Sequence, residues 1–354
     1  MRRMPRGFGR AIIGFGISIV ALFLVVRSVD VAAAWQTLKG ADPEWVALLV
    51  VFVSIDILLR ALRWKVLLAP VAKVPYGTTL ASLLVGYLAN NILPARLGEI
   101  VRSVDLGERT GLSRSTILGT IVVERVVDTV VVVAIASIAI LVLSVRGIVA
   151  SAVLVGLAVS ALLVVAIAVG IAAHRLPGAE RVSAYLHRWP RVRLVLVRLR
   201  DGLAIAKSAR TMGAAVGLSI ASWSCTVLAF AAAAQAVGVQ PTMGQAALLA
   251  AGTNLATAIP AAPGYVGTFE LAAVTIGASV GIAKEDALAF AILVHVTTLL
   301  LTSVGGAIAF ALGQRSRSKR VSESVDDNGR TTDPAAAAVP PPAADEVVAR
   351  TKGA

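Results

Sequence analysis

The sequence predicts an all-α, polytopic helical membrane protein, and three observations predict it. Of 354 residues, 57% are hydrophobic and mean hydropathy is +0.84, more apolar matter than a soluble domain can bury. Several apolar runs exceed the roughly 18–20 residues that cross about 30 Å of hydrocarbon as a helix. The net charge of +13 collects mainly at the N-terminus, in loops and in the C-terminal tail, leaving segments that satisfy their own backbone inside lipid. In such a protein a basic balance reports topology and contact with anionic headgroups, not nucleic acid. A single cysteine, Cys225, excludes an internal disulfide, and three scattered histidines offer no metal-ligand spacing. No cofactor is expected, and no Walker-type or GxSxG motif is present.

The apolar segments fall at about 11–27, 45–68, 77–93, 115–145, 148–173, 211–237, 244–259, 265–282 and 286–312. The first follows a basic start and resembles a signal peptide. It is read instead as an uncleaved helix, because the segments after it are also membrane-embedded. Arg2, Arg3, Arg6 and Arg10 place the N-terminus in the cytoplasm. The loop 174–210, with nine Lys or Arg from Arg175 to Arg210 against Glu180 and Asp201, is placed there too, as is the end of the last helix. Those three assignments leave too many segments for simple alternation. Segment 77–93 is therefore expected to enter from the cytoplasm, break at "NNILP" and return through 95–106. Segments 244–259 and 265–282 are expected to enter from the outer face and break at "IPAAPG".

The result is about six spanning helices plus two re-entrant hairpins. Each hairpin holds an asparagine (Asn90, Asn254), a proline with glycine four residues on (Pro94 and Gly98, Pro263 and Gly267) and a following glutamate (Glu99, Glu270). Pro260 and Gly264 add to the second break. This pattern suits an inverted repeat, whose broken helices hold substrate in transporters, although prolines and glycines are common enough in membrane helices to coincide. The domains expected are a membrane domain, 1–312, and a disordered cytoplasmic tail, 313–354. Residues 191–206 alternate arginine with an apolar face, as would a helix on the inner leaflet or a solvated loop helix.

Charged residues at membrane depth cost at least about 2.5–3.5 kcal/mol each and mark sites when they cluster. Arg60 and Arg63, one turn apart beside Trp64, would either grip a lipid phosphate through their planar forks or anchor an interface. Asn90 and Asn91 can satisfy the backbone freed at the first break. Arg96, Glu99 and Arg102 follow at three-residue steps, either as an anion site or as a self-satisfied row. Glu124, Arg125 and Asp128 in "ERVVD" need partners within the bundle. His295 lies within the last helix, where it is either a core residue or a group that titrates near neutrality.

In that order, "LRALRW", "NNILPARLGEIVR", "ERVVD" and "IPAAPGYVGTFE" resemble the lysylphosphatidylglycerol synthase transmembrane-region family, also called flippase-like membrane proteins, over about residues 10–312. Better-known members carry this region beside a cytoplasmic aminoacyltransferase domain, and the membrane region is thought to move lipid between leaflets. No such domain is legible in this sequence, so the resemblance implies lipid translocation or lipid-intermediate handling and not synthesis. A multi-pass protein of the cell membrane with both termini cytoplasmic is expected, taking membrane lipids with an anionic headgroup. The alternatives are a membrane enzyme with Glu124 or Asp128 as general base, and an accessory subunit docking a separate transferase on its basic loop.

Overall fold

A computed structural model of the protein describes residues 6–93, 97–172, 204–258 and 261–330. It is helical throughout, with no strand among the described residues. The helices are α1 (Arg6–Ser28), α2 (Val31–Lys39), α3 (Pro43–Leu68), α4 (Tyr76–Ile92), α5 (Gly98–Thr110), α6 (Arg114–Leu143), α7 (Ile148–Ala172), α8 (Ala209–Ala236), α9 (Met243–Ala256), α10 (Thr268–Ser279) and α11 (Lys284–Arg330). Short 3-10 turns occupy Ala204–Lys207 and Pro263–Tyr265.

Helix starts follow the local chemistry. Asp30 accepts from the amides of Ala32 and Ala33 ahead of α2, and Asp42 accepts from Glu44 beside Pro43 at the head of α3. Thr242 and Gln245 form a reciprocal capping box on α9. Gly111 ends α5 in a left-handed conformation, φ 74°.

Among the described residues five helices are long and apolar enough to cross a membrane: α3, α6, α8, the Ile148–Val165 part of α7 and the Lys284–Gln314 part of α11. The expected first crossing qualifies only as a pair, Phe15–Ser28 with Val31–Lys39, bent by 85°. With it the count reaches the six expected. α11 continues as helix to Arg330, into the segment expected to be a tail. Pro94, Arg96, Pro260, the tail from 331 and the helix expected over 191–206, up to residue 203, lie outside the described residues.

Between the long helices sit two pairs of short ones. α4 and α5 fold back on each other: Ser82 donates to Asp105, and Asn90 accepts from the Gly98 amide. Between those contacts a methyl group at Gly86 would lie 2.9 Å from the Arg102 Cβ. α9 and α10 do the same, with Gln245 donating to the Val280 carbonyl and Gly252 against Ile276. The core between the long helices rests on α3 packed along α8, where the alanine run Ala231 to Ala234 admits close approach. Leu49, Phe230, Leu249 and Phe290 fill the space around it. Outward faces stay apolar, as at Ile19, Leu141 and Leu162, which suits a bundle bathed in lipid.

The α4–α5 pair depends on glycine for lack of room. A methyl group on Gly98 would meet the Gly86 carbonyl oxygen at 2.1 Å and the Asn90 carboxamide at 2.5 Å. Gly98→Ala is expected to lower the melting temperature of detergent-purified protein, at a cost of about 1–3 kcal/mol from overpacking. Gly77→Ala, with nothing within 4 Å, should leave it unchanged or raise it. Parallel thermal unfolding scans check both.

Candidate functional site

Of the charged residues expected at membrane depth, Arg60, Arg63, Arg102, Glu124, Arg125 and Asp128 converge on one ion network between α3, α5, α6 and α8. Glu124 is fully buried and shared by three arginines: Arg63 at 3.1 Å, Arg102 at 2.7 Å and Arg125 at 2.9 Å. Asp128 receives a two-pronged contact from Arg63, its second prong at 2.8 Å, and has Arg60 and Arg125 at 3.7 and 3.6 Å. Arg63 also donates to Ser219 at 2.8 Å, and Trp223 donates to Asp128 at 3.2 Å. Arg60 is held by Asp56 one turn earlier, at 2.8 Å, and Asp56 accepts from Ser222. The guanidinium of Arg102 lies 4.5 Å over the Trp64 ring, whose indole N–H donates to Thr120.

The network separates residues that sequence spacing groups together. Arg60 and Arg63 are three residues apart, which on an α-helix leaves about 60° between them. Arg63 turns inward at 0% exposure, whereas Arg60 reaches a cavity. Glu124 and Arg125, about 100° apart, divide likewise: Glu124 is sealed and the Arg125 side chain is 42% exposed.

The cavity measures about 1440 Å³. Asp56, Arg60, Glu99, Arg125 and Asp128 line one part of its wall, together with Tyr87, Asn90 and Asn91. Elsewhere the wall holds Asn254, Tyr265 and His295, and long apolar stretches come from α1 (Val20, Leu24) and α7 (Val159, Leu163). Glu99 lines the wall and has no ion pair among the described residues.

Some candidates hold structure. Asn90 closes the first break through Gly98, and Asn91 donates to Thr302 and Ser303 on α11, both at 2.9 Å. Asn254 donates to Ala250 in its own helix. At the second break Gly264 and Tyr265 are left-handed, φ 70° and 59°. Gly267 has no room for a side chain, since a Cβ would lie 2.7 Å from the Ser18 carbonyl oxygen of α1. Glu270 accepts from the Gly267 amide at 2.7 Å and meets His295 at 2.5 Å, and the other ring nitrogen of His295 lies 2.6 Å from the Gly264 carbonyl oxygen.

Arg63, Arg102, Glu124 and Glu270 thus lie behind the wall, and Arg60, Asn90, Asn91, Glu99, Arg125, Asp128 and Asn254 on it. Sequence reading passed over Asp56, Ser219, Ser222 and Trp223. Their signals were an acid one turn before Arg60, and a polar stripe at three- and four-residue steps in an otherwise apolar helix. Among the described residues no cluster of His, Cys, Asp and Glu could hold a metal ion.

A bundle of long apolar helices around two short pairs and a buried ion network defines a multi-pass helical membrane protein. The chain belongs to the family described as the lysylphosphatidylglycerol synthase TM region, which it matches over residues 11–306. It is similar to the glycosyltransferase AglD of Haloferax volcanii, 25% identical over 348 residues, covering 88% of this chain and 56% of the relative. It also resembles a UPF0104 membrane protein of Methanothermobacter thermautotrophicus, 31% identical over 116 residues, 32% of this chain and 34% of the relative. The chain therefore spans about half or less of the curated relatives it matches.

Glu124→Gln would leave Arg63 and Arg102 buried beside a neutral group. It is expected to destabilise the bundle by about 3–5 kcal/mol, the usual cost of breaking a buried pair. Arg125→Ala should cost far less, because Arg63 and Arg102 still pair with the buried Glu124. Unfolding of both variants in mixed micelles, read by circular dichroism, checks the order.

Proposed function

We propose that the protein is a lipid translocator that receives an anionic headgroup, of a phospholipid or a polyprenyl-phosphate-linked lipid, in the cavity against Arg125 and Arg60. The observation that carries this reading is the make-up of one cavity: the guanidinium groups of Arg60 and Arg125, set among Asp56, Glu99 and Asp128, on part of the wall, and apolar side chains of α1 and α7 on another. A molecule with a phosphate at one end and a hydrocarbon tail matches both surfaces. Arg63, Arg102 and Glu124 fix the network from behind, so that Arg60 and Arg125 meet the headgroup already oriented. Pro94 and Arg96 belong to the same break in the sequence, and Arg96 joins this reading as a further headgroup contact.

In the same reading α4–α5 and α9–α10 are hairpins entering from opposite leaflets, each between two spanning helices, as halves of an inverted repeat. The protein sits in the cell membrane with both termini and the basic loop 174–210 on the cytoplasmic side. Family membership supports a role with membrane lipids.

A second reading is favoured by the name of one relative, a glycosyltransferase. Here the chain would act on, or present, a lipid-linked substrate beside a separate transferase, with the basic loop as its docking surface. The two readings separate by lipid analysis of a deletion strain: a misplaced lipid supports translocation, and a missing one supports chemistry.

Reconstituted in vesicles carrying fluorescent anionic lipids, the protein is expected to speed leaflet exchange over empty vesicles. Arg125→Gln should slow that exchange roughly tenfold or more, the scale of one charge-assisted hydrogen bond, while leaving the melting temperature near that of the wild type. No acceleration with any anionic lipid class would remove the proposal.

A further inference from the structure

We infer that His295, on the cavity wall, and Glu270, behind it, together form a proton-binding site, and that its occupancy fastens the turn at 263–267. The inference stands whether or not the cavity carries lipid. A neutral imidazole has one N–H to donate and one lone pair to accept. Both partners of the His295 ring are acceptors. Its Nδ1 faces the Glu270 Oε1 at 2.5 Å, and its Nε2 faces the Gly264 carbonyl oxygen at 2.6 Å. The other carboxylate oxygen of Glu270 already accepts from the Gly267 amide at 2.7 Å.

With an ionised Glu270 and a neutral His295, one of the two ring contacts would set lone pair against lone pair. Both contacts are made at once only if the pair holds one more proton. That proton resides on the ring, as imidazolium, or on the carboxyl, which then donates to Nδ1 while Nε2–H donates to Gly264.

The surroundings suit a shared proton. Both side chains are buried, at 8% exposure for Glu270 and 7% for His295. α10 adds the Phe269 ring, 4.6 Å between centroids. The turn adds Tyr265, which can titrate only at high pH. Around the turn, α1, α4 and α9 present Ser18, Asn91 and Asn254, and α11 itself presents Thr298 and Leu299, none of which titrates. The charged residues of the cavity wall, Asp56, Arg60, Glu99, Arg125 and Asp128, lie on α3, α5 and α6. His295 lines the cavity, so the proton has a route in and out.

Loss of the proton must break one of the two contacts. The Gly264 carbonyl is the one that can move, because it sits in a turn built on left-handed Gly264 and Tyr265. Glu270 is tied to the start of α10. Deprotonation therefore frees the turn that carries Tyr265 into the cavity and that supports α1 through Ser18, whose hydroxyl accepts from the Ala262 amide at 2.9 Å.

The test uses the full chain in lipid nanodiscs with His174→Gln and His187→Gln, so that His295 is the single histidine. Nitrogen-15 NMR of labelled histidine near neutral pH counts the ring protons, and infrared spectroscopy looks for a protonated carboxyl band. A doubly protonated ring supports the site. So does a neutral ring with a carboxyl band that disappears in Glu270→Gln. A neutral ring with no such band overturns it. Wild-type spectra at Glu270 already decide the proton count, so a poorly folding variant does not block the test.

Hydrogen exchange of residues 261–270, corrected for the intrinsic pH dependence of exchange, reads the turn. It should rise in one step as the proton leaves. In Glu270→Gln that step should vanish, because the glutamine amide supplies the N–H that lets a neutral ring keep both partners. The same step in wild type and Glu270→Gln, or no step in either, overturns the link to the turn.

Discussion

The interior of this bundle depends on one guanidinium. Arg63 is fully buried, yet it reaches two carboxylates of α6 and the hydroxyl of Ser219 on α8 from its place on α3. A charge so placed is tolerated because both terminal nitrogens of the guanidinium meet carboxylates or a hydroxyl, which leaves only its buried Nε without a partner among the described residues. The same carboxylates then hold Arg102 and Arg125, which brings α5 into the assembly and turns one cation toward the cavity. The α3–α8 packing, the seat of α5 and the orientation of Arg125 all follow from satisfying one buried charge.

The two short helix pairs solve a related problem differently. A helix that stops inside a bundle exposes backbone groups that have no water to meet. In the first pair, the side chain of Asn90 takes the amide at the head of α5. In the second, Glu270 takes the amide at the head of α10. The glutamate that matches it in sequence order, Glu99, lines the cavity. The two breaks share a sequence pattern, but the capping is done by different members of it.

Much of the architecture was legible in the sequence because hydropathy and helix length measure the same constraint. Most of the long helices and both short pairs fall close to their expected bounds, while α11 runs past its expected end at 312. Pairing was not legible. Arg60 and Arg63 read as one face, and the helical pitch sends one to the cavity and the other to the core. Asp56 has a partner in sequence, Arg60 one turn on, but its second partner, Ser222, comes only with α8. Arg102 read as one of a row on a single helix, and it is spent on Glu124 and Trp64 of neighbouring helices. Local spacing reports which way a side chain points to within a quadrant, and ion networks are decided by finer angles than that.

α1 lends Gly16, Ile17, Val20, Ala21 and Leu24 to the cavity, and its chief neighbour in the bundle is α10. Much of its other face is apolar and exposed. A wall fastened along one seam and otherwise resting on acyl chains is pressed into place by the surrounding lipid. The thickness and lateral pressure of the bilayer thereby enter into the size of the chamber, and the membrane acts as one of its walls.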